Sequence, residues 1–232
     1  MSGRPALIVF ARAPVAGETK TRLIPALGPA GAAELYRCFL LDTLDRVRQV
    51  PAQLIVAAAG TSDSDPLRAL VQAVCPDAAL TVQSGADLGE RMDRAVQEAL
   101  RCGHLGAVVI GTDSPGLPQR HILGAMDLLS QRDLVVGPCL DGGYYLIALR
   151  RPLPGLFRDI PWSSDAVLVE TMRRAGERDL SVALLEPWYD VDTPEDLRFL
   201  KTYLTALALA GEPILCPRTW QYVSQLAENG EI

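Results

Sequence analysis

A chain of 232 residues, 49% of them hydrophobic and 22% charged, is long enough to bury a full core in one domain without disulfide or metal staples. A net charge of −6 offers no general attraction for nucleic acid, so no nucleic-acid partner is expected and any phosphate site must be local. Five scattered cysteines and two histidines make neither a disulfide framework nor a zinc ligand set, which favours a reducing, cytoplasmic setting. No apolar stretch approaches the roughly 18 residues of a membrane span. The opening Met1-Ser2-Gly3-Arg4-Pro5 leads into an apolar run too short for a secretory signal.

In chain order, Ala6–Ala11 is a continuous apolar run of the kind that parallel sheets bury on both faces. A polar loop follows, then a helix over about Ala30–Val47, where Leu35, Tyr36, Phe39, Leu40 and Leu44 recur at helical spacing and form a core face. The alternation continues with strand Leu54–Ala58, helix Pro66–Val74, strand Ala79–Gln83 and helix Leu88–Leu100, in which Met92 faces the core. Strand Ala107–Gly111, helix Pro118–Leu129 and strand Leu134–Gly137 come next. Strand Tyr144–Leu149 follows without a helix between, so one antiparallel member is expected. Helix Asp165–Gly176, strand Val182–Leu185, helix Pro194–Ala210 and a terminal helix Pro217–Asn229 complete the chain. The pattern predicts an α/β three-layer sandwich on a mostly parallel, mixed sheet. Residues 1–211 form its body and 212–232 a helical appendage of the same domain. That last helix carries Trp220 and Tyr222, which could support a homodimer.

In open α/β sheets ligands gather beyond the carboxyl ends of the strands, and four polar clusters fall there. The first is the loop Arg12–Arg22, where Gly17 permits a turn and Lys20 and Arg22 pair a point charge with a planar fork suited to polyphosphate. Only two of the 22 basic residues are lysines, and one of them is Lys20. The second is Gly111-Thr112-Asp113-Ser114-Pro115, a carboxylate at the end of an apolar strand. The third, Asp141-Gly142-Gly143-Tyr144, signals a hairpin turn or a close backbone approach to a ligand. In the fourth, Thr193, Pro194 and Asp196 make a helix-capping arrangement, while Asp190 and Asp192 lie upstream of the cap. Should Asp113 and Asp192 converge to about 4 Å, their repulsion, on the order of 4 kcal/mol, calls for a cation. Oxygen ligands plus phosphate match magnesium, or manganese, better than zinc. Ser163 or Ser164 is a candidate helix cap, Trp162 lies at an acceptor pocket or in the core, and His104 and His121 read as surface or helix-end residues.

The segments FARAPVAGETKTRL, DLGERM, GTDSPGLP, GPCLDGGYYLIAL, PWSSDAVL and DVDTPEDL resemble, in this order from about Ala6 to Leu200, a bacterial family of the GT-A-fold nucleotide-diphospho-sugar transferase superfamily. Its members are provisionally named glycosyltransferases, some with a suggested link to arsenosugar biosynthesis. More distantly the chain resembles small nucleotidyltransferases that load guanylyl or cytidylyl groups onto phosphorylated acceptors. The resemblance implies nucleotide contacts from Ala11, Arg12, Gly17, Gln83, Gly89 and Arg91. It places the metal on Asp113 and Asp192, with Lys20 and Arg22 as charge-stabilising catalytic groups, and the acceptor at Asp141, Gly142, Gly143 and Tyr144. Beside it, Asp190 is a candidate catalytic base and Trp162 a candidate acceptor contact. Two features depart from the pattern: Phe10-Ala11-Arg12-Ala13-Pro14 replaces a glycine-rich opening, and Asp113 is followed by Ser114 where many glycosyltransferases have D-x-D.

Three functions compete. Nucleotidyl transfer from an NTP to a small acceptor would release pyrophosphate. Glycosyl transfer from an NDP-sugar would break the sugar C1–O bond, with Asp190 a candidate base. A nucleotide-binding module without catalysis is the third. Fold analogy alone does not choose among them.

Overall fold

The computed structural model describes residues 3–60 and 66–228. Its strands are β1 (Ala6–Arg12), β2 (Gln53–Ala59), β3 (Ala79–Val82), β4 (Ala107–Ile110), β5 (Leu134–Pro138), β6 (Tyr144–Leu149) and β7 (Val182–Leu184). The helices are α1 (Ile24–Val47), α2 (Pro66–Val74), α3 (Leu88–Arg101), α4 (Gln119–Leu128), α5 (Val167–Gly176), α6 (Pro194–Ala210) and α7 (Pro217–Glu228). The expected end of the last helix at Asn229, and the reading of Met1 and Ser2, lie outside the described residues.

Across the sheet the strands run β3-β2-β1-β4-β6-β5-β7. Every pairing is parallel except those of β6, which runs antiparallel to both β4 and β5. The antiparallel member expected from the missing helix is therefore present. Because Val9 of β1 pairs with Ile110 of β4, the chain leaves both strands at one rim, carrying Arg12 and Asp113 to the same place. Strand order reverses between β1 and β4, and such a switch point opens a crevice for ligands.

Burial explains the apolar runs of the inner strands β1, β4, β5 and β6. On one face Ile8, Ala57, Val109 and Ile147 pack against Met92, Val96 and Ala99 of α3. On the other, Leu7, Val9, Val108 and Leu146 meet Ile122 and Ala125 of α4. A separate cluster joins α1, α6 and α7 through Phe39, Leu200 and Val223. Helix α1 begins earlier than its sequence periodicity, with a first turn broken at Gly28 (φ 68°) and Pro29. Helix α5 starts two residues later than expected, with Ala166 rather than Ser163 or Ser164 at its N-cap and no side-chain cap.

Helix α7 is fastened to α1 by Asp42, only 2% exposed, whose carboxylate accepts the backbone N–H groups of Arg218 and Thr219 at 3.2 and 2.8 Å. Trp220 and Tyr222 pack inward on the cluster with α1 and α6. The feature that suggested a dimer is thus used within the chain.

Candidate functional site

Three adjoining cavities form a trench along the rim. The first, about 380 Å³, is lined by Ala11, Arg12, Gln83, Leu88 and Arg91, with Tyr36, Thr112 and Asp113 at its inner end. The second, about 240 Å³, lies between Lys20, Arg22, Asp113 and Asp192 and shares Arg12 and Tyr36 with the first. The third, about 310 Å³, shares Arg22 and Asp192 with the second and adds Asp141, Asp190, Tyr189 and Phe199.

The loop after β1 is built around Thr19, whose side chain donates to the Ala13 carbonyl at 3.0 Å and accepts the Val15 N–H at 3.2 Å. This pins a tight turn in which Lys20 adopts a left-handed backbone (φ 50°) and its side chain turns inward, 4% exposed. The ammonium reaches Asp113 Oδ1 at 2.5 Å, Asp192 Oδ1 at 2.7 Å and the Val191 carbonyl at 2.8 Å. Three donors meet three acceptors. Burial pulls the Lys20 pKa down, but the two aspartates outweigh it and the net shift is upward, so the group stays charged. The ring of Phe39 lies 5.5 Å from the ammonium, a contact that favours the cation.

Asp113 and Asp192 thus converge as expected, around Lys20. The two segments are also zipped by their backbones, the Val191 N–H donating to the Asp113 carbonyl at 2.9 Å. The expected capping box of Thr193 and Asp196 starts α6 immediately downstream, fixing the direction in which Asp192 projects. Arg12 and Arg22 stand exposed at the two ends of the middle cavity.

Asp190 lies beside the Cys139 thiol and Asp141, ligand atoms of the three falling within 4.8 Å of one another. Burial first, then the charges of Asp141 and Asp192, lift the Asp190 carboxyl to about 6. Burial and Asp190 push the Cys139 thiol up, so it remains protonated.

Several residues expected to touch ligand do other work. Gly89 lies under Phe157 and Trp162, where an added Cβ would come within 2.6 Å of the Phe157 carbonyl. Gly142 (φ 89°) shapes the β5–β6 hairpin, and a Cβ there would meet the Asp165 carbonyl at 2.3 Å. Gly143 donates its N–H to Asp141 at 2.8 Å. Gly17 turns the loop (φ 85°), with open space where a Cβ would lie. Tyr144 lines the first cavity, with Gln83 and Arg91. Trp162 packs edge-on to Tyr144 and against Phe157, so the core claims it. His121 is not a surface residue: it is 4% exposed and bonded to the Tyr145 hydroxyl at 2.6 Å.

Sequence reasoning missed Tyr36. It read as a core-face residue, and its ring is buried, but its hydroxyl accepts the Arg12 N–H at 3.1 Å and shares a 2.8 Å bond with Thr112. A buried tyrosine must satisfy its hydroxyl, so a tyrosine on an otherwise leucine-rich face was the available signal. Tyr189 and Phe199, in edge contact with ring centroids 4.9 Å apart, wall the acidic cavity and carried no comparable signal.

Residues 43–164 match a family model described as "Uncharacterized protein conserved in bacteria (DUF2064)". The chain is 31% identical to a protein from Desulfovibrio desulfuricans G20 provisionally named a nucleotide-diphospho-sugar transferase, over 98% of this chain and 96% of that one, with a TM-score of 0.87. The fold is shared with a 4-diphosphocytidyl-2C-methyl-D-erythritol synthase from Anaerococcus prevotii DSM 20548, at 15% identity over 88% and 97% of the two chains and a TM-score of 0.60. It is shared too with Rv0371C of Mycobacterium tuberculosis H37Rv in complex with manganese, at 20% identity over 85% and 97% and a TM-score of 0.50. No curated protein matches the chain in sequence.

Proposed function

This chain belongs to the bacterial DUF2064 family within the nucleotide-diphospho-sugar transferase superfamily, and from that premise we propose that it transfers a glycosyl group from an NDP-sugar to the hydroxyl of a small acceptor. The observation that carries this reading is the order of charge along the trench. The middle cavity sets Arg12, Lys20 and Arg22 against Glu18, Asp113 and Asp192, whereas the ionisable residues that the third cavity adds, Asp141, Asp190 and Asp196, are all acidic; Asp141 and Asp190 form no ion pair among the described residues.

The nucleoside occupies the first cavity, where Gln83 is held by its side-chain N–H bond to the Ala57 carbonyl at 2.8 Å and Arg91 by its bond to the Gly85 carbonyl at 3.2 Å. The diphosphate lies in the middle cavity. An acceptor hydroxyl in the third cavity gives its proton to Asp190 as its oxygen bonds the anomeric carbon. As that bond forms the C1–O bond to the diphosphate breaks, and its electron pair leaves with the nucleoside diphosphate, whose charge Arg12 and Arg22 balance. A phosphorylated acceptor suits this end poorly, because it would bring an anion beside Asp141 and Asp190 and needs no base to make it nucleophilic.

Asp113 and Asp192 fit a magnesium or manganese ion: both offer hard oxygen donors and already converge on one positive charge, next to space for phosphate oxygens. When bound there, the ion supplies charge neutralisation for the leaving diphosphate. The group of Cys139, Asp141 and Asp190 suits it less, since one of its three ligands is a protonated thiol.

Nucleotidyl transfer is the second reading, supported by the placement of Lys20 and Arg22 beside a cavity suited to polyphosphate. The test is a product assay. Purified protein with magnesium or manganese is given panels of NDP-sugars with hydroxyl acceptors and, separately, of NTPs. Glycoside plus nucleoside diphosphate supports the proposal, whereas pyrophosphate released from an NTP supports the second reading. Metal-independent nucleotide binding with neither product points to a non-catalytic module.

A further inference from the structure

The middle cavity poses a problem that the proposed function leaves open. Lys20 is positioned to meet the phosphates, yet all three of its ammonium donors are spent on Asp113, Asp192 and the Val191 carbonyl at 2.5–2.8 Å. The two aspartates assigned to the divalent ion are each held through Oδ1 by that same ammonium. The ammonium and a divalent ion therefore compete for one pair of carboxylates.

We infer that Lys20 is the resident counter-ion of the two-aspartate site, so that a divalent ion enters together with polyphosphate and binds the free protein only weakly. The inference rests on the metal reading given above and adds an order of binding to it. A tethered ammonium is always present at the site, whereas a free ion must be drawn from solution and desolvated. An ion arriving alone would face a buried like charge that already neutralises the carboxylates it needs, and that repulsion opposes its binding. Polyphosphate changes the balance. Its oxygens offer Lys20 new acceptors within the same cavity, and the ammonium transfers to them by side-chain rotation. The loop stays put, because Thr19, 1% exposed, ties it to Ala13 and Val15. Asp113 and Asp192, released from the ammonium, would then hold the ion, which would supply positive charge beside the phosphates. By linkage, metal and polyphosphate each strengthen the binding of the other.

The test uses the Mn²⁺ ion itself, with free Mn²⁺ read by its electron paramagnetic resonance signal and no nucleotide present. Lys20→Met should bind Mn²⁺ at least about tenfold more tightly than the unaltered protein, within the usual range of coupling between ligands. Adding Asp192→Asn to that variant should remove the gain. Lys20→Gln, which keeps polarity, serves in the same comparison should the methionine variant not fold. Equal Mn²⁺ affinity in the unaltered protein and the Lys20 variant overturns the inference and leaves the metal reading standing. Absence of Mn²⁺ binding in every variant, with or without tripolyphosphate, overturns both.

Discussion

Lys20 and Asp192, 172 positions apart in the chain, meet in a 2.7 Å ion pair that joins the loop after β1 to the segment before α6. With Asp113 on the same ammonium, this contact turns three unrelated stretches of sequence into one rim. The positive charge lies 4% exposed, while the two carboxylates remain 45% and 38% exposed. The anions are thus presented to ligand and the cation is held beneath them.

Removing that cation should disable the reaction. Lys20→Met is expected to slow product formation by about 10²–10³-fold, the scale seen when one charge-stabilising donor is lost. Steady-state rates for the active donor–acceptor pair would check it. A loss under tenfold would take Lys20 out of the reaction.

Asp190→Asn should lower transfer by about 10²–10⁴-fold, the usual worth of a general base. It should also stabilise the metal-free protein. The Asp190 pKa is raised from 3.8 to about 6 in the fold, so between these values the native state binds more protons than the unfolded chain, and stability falls as pH rises. Above pH 6 the substitution should recover on the order of 1–2 kcal/mol after solvent screening. Below pH 4 it should recover nothing. Urea denaturation at pH 4 and 7.5 gives the comparison, and a gain of equal size at both would refute the assignment.

Tyr36→Phe should cost about 1–2 kcal/mol, because it strands the Thr112 hydroxyl and the Arg12 N–H in a buried place. Nucleotide affinity should weaken with it, since the same bonds set the wall between the first two cavities. Thermal melts with and without nucleotide separate the two effects.

The glycines should divide by what surrounds them. Gly142→Ala forces a Cβ to within 2.3 Å of the Asp165 carbonyl at φ 89° and should cost about 1–3 kcal/mol or more. At Gly17, φ 85°, nothing lies within 4 Å of the added atom. The cost there should be limited to the left-handed backbone, about 1–2 kcal/mol. Paired urea titrations would show whether the order holds.

Asp42→Ala should unfasten α7 from α1. It removes a buried acceptor for two backbone N–H groups and the Arg218 guanidinium, at about 2–4 kcal/mol. Faster amide exchange confined to residues 217–228 would locate the effect, and a stability unchanged within error would contradict it.

The sheet could be read from sequence because its central strands, β1, β4, β5 and β6, are buried on both faces and stand out as short apolar runs. The antiparallel β6 could be read from the hairpin signal of Asp141 and Gly142. Lys20 stood out as one of two lysines among 22 basic residues, Asp113 as a carboxylate ending an apolar strand, and Asp192 as an acid upstream of a helix cap that does not account for it. What stayed hidden depends on long-range packing. Gly89 reads as a ligand-side glycine until Trp162, 73 positions away, is found lying on it. Tyr36 shares its periodicity with Phe39, and only the partner of its hydroxyl distinguishes a site residue from a core residue. That Lys20 would itself hold the two aspartates could not be read from spacing at all, since charge pattern gives the residues and not the contact.

The most direct test of the account is a crystal structure of the protein with Mn²⁺ and a nucleoside diphosphate. The account predicts the metal between Asp113 and Asp192, the phosphates within hydrogen-bond distance of a relocated Lys20 side chain, and the base in the cavity of Gln83 and Arg91. Metal held by Cys139, Asp141 and Asp190, or phosphates bound away from Lys20, would contradict it.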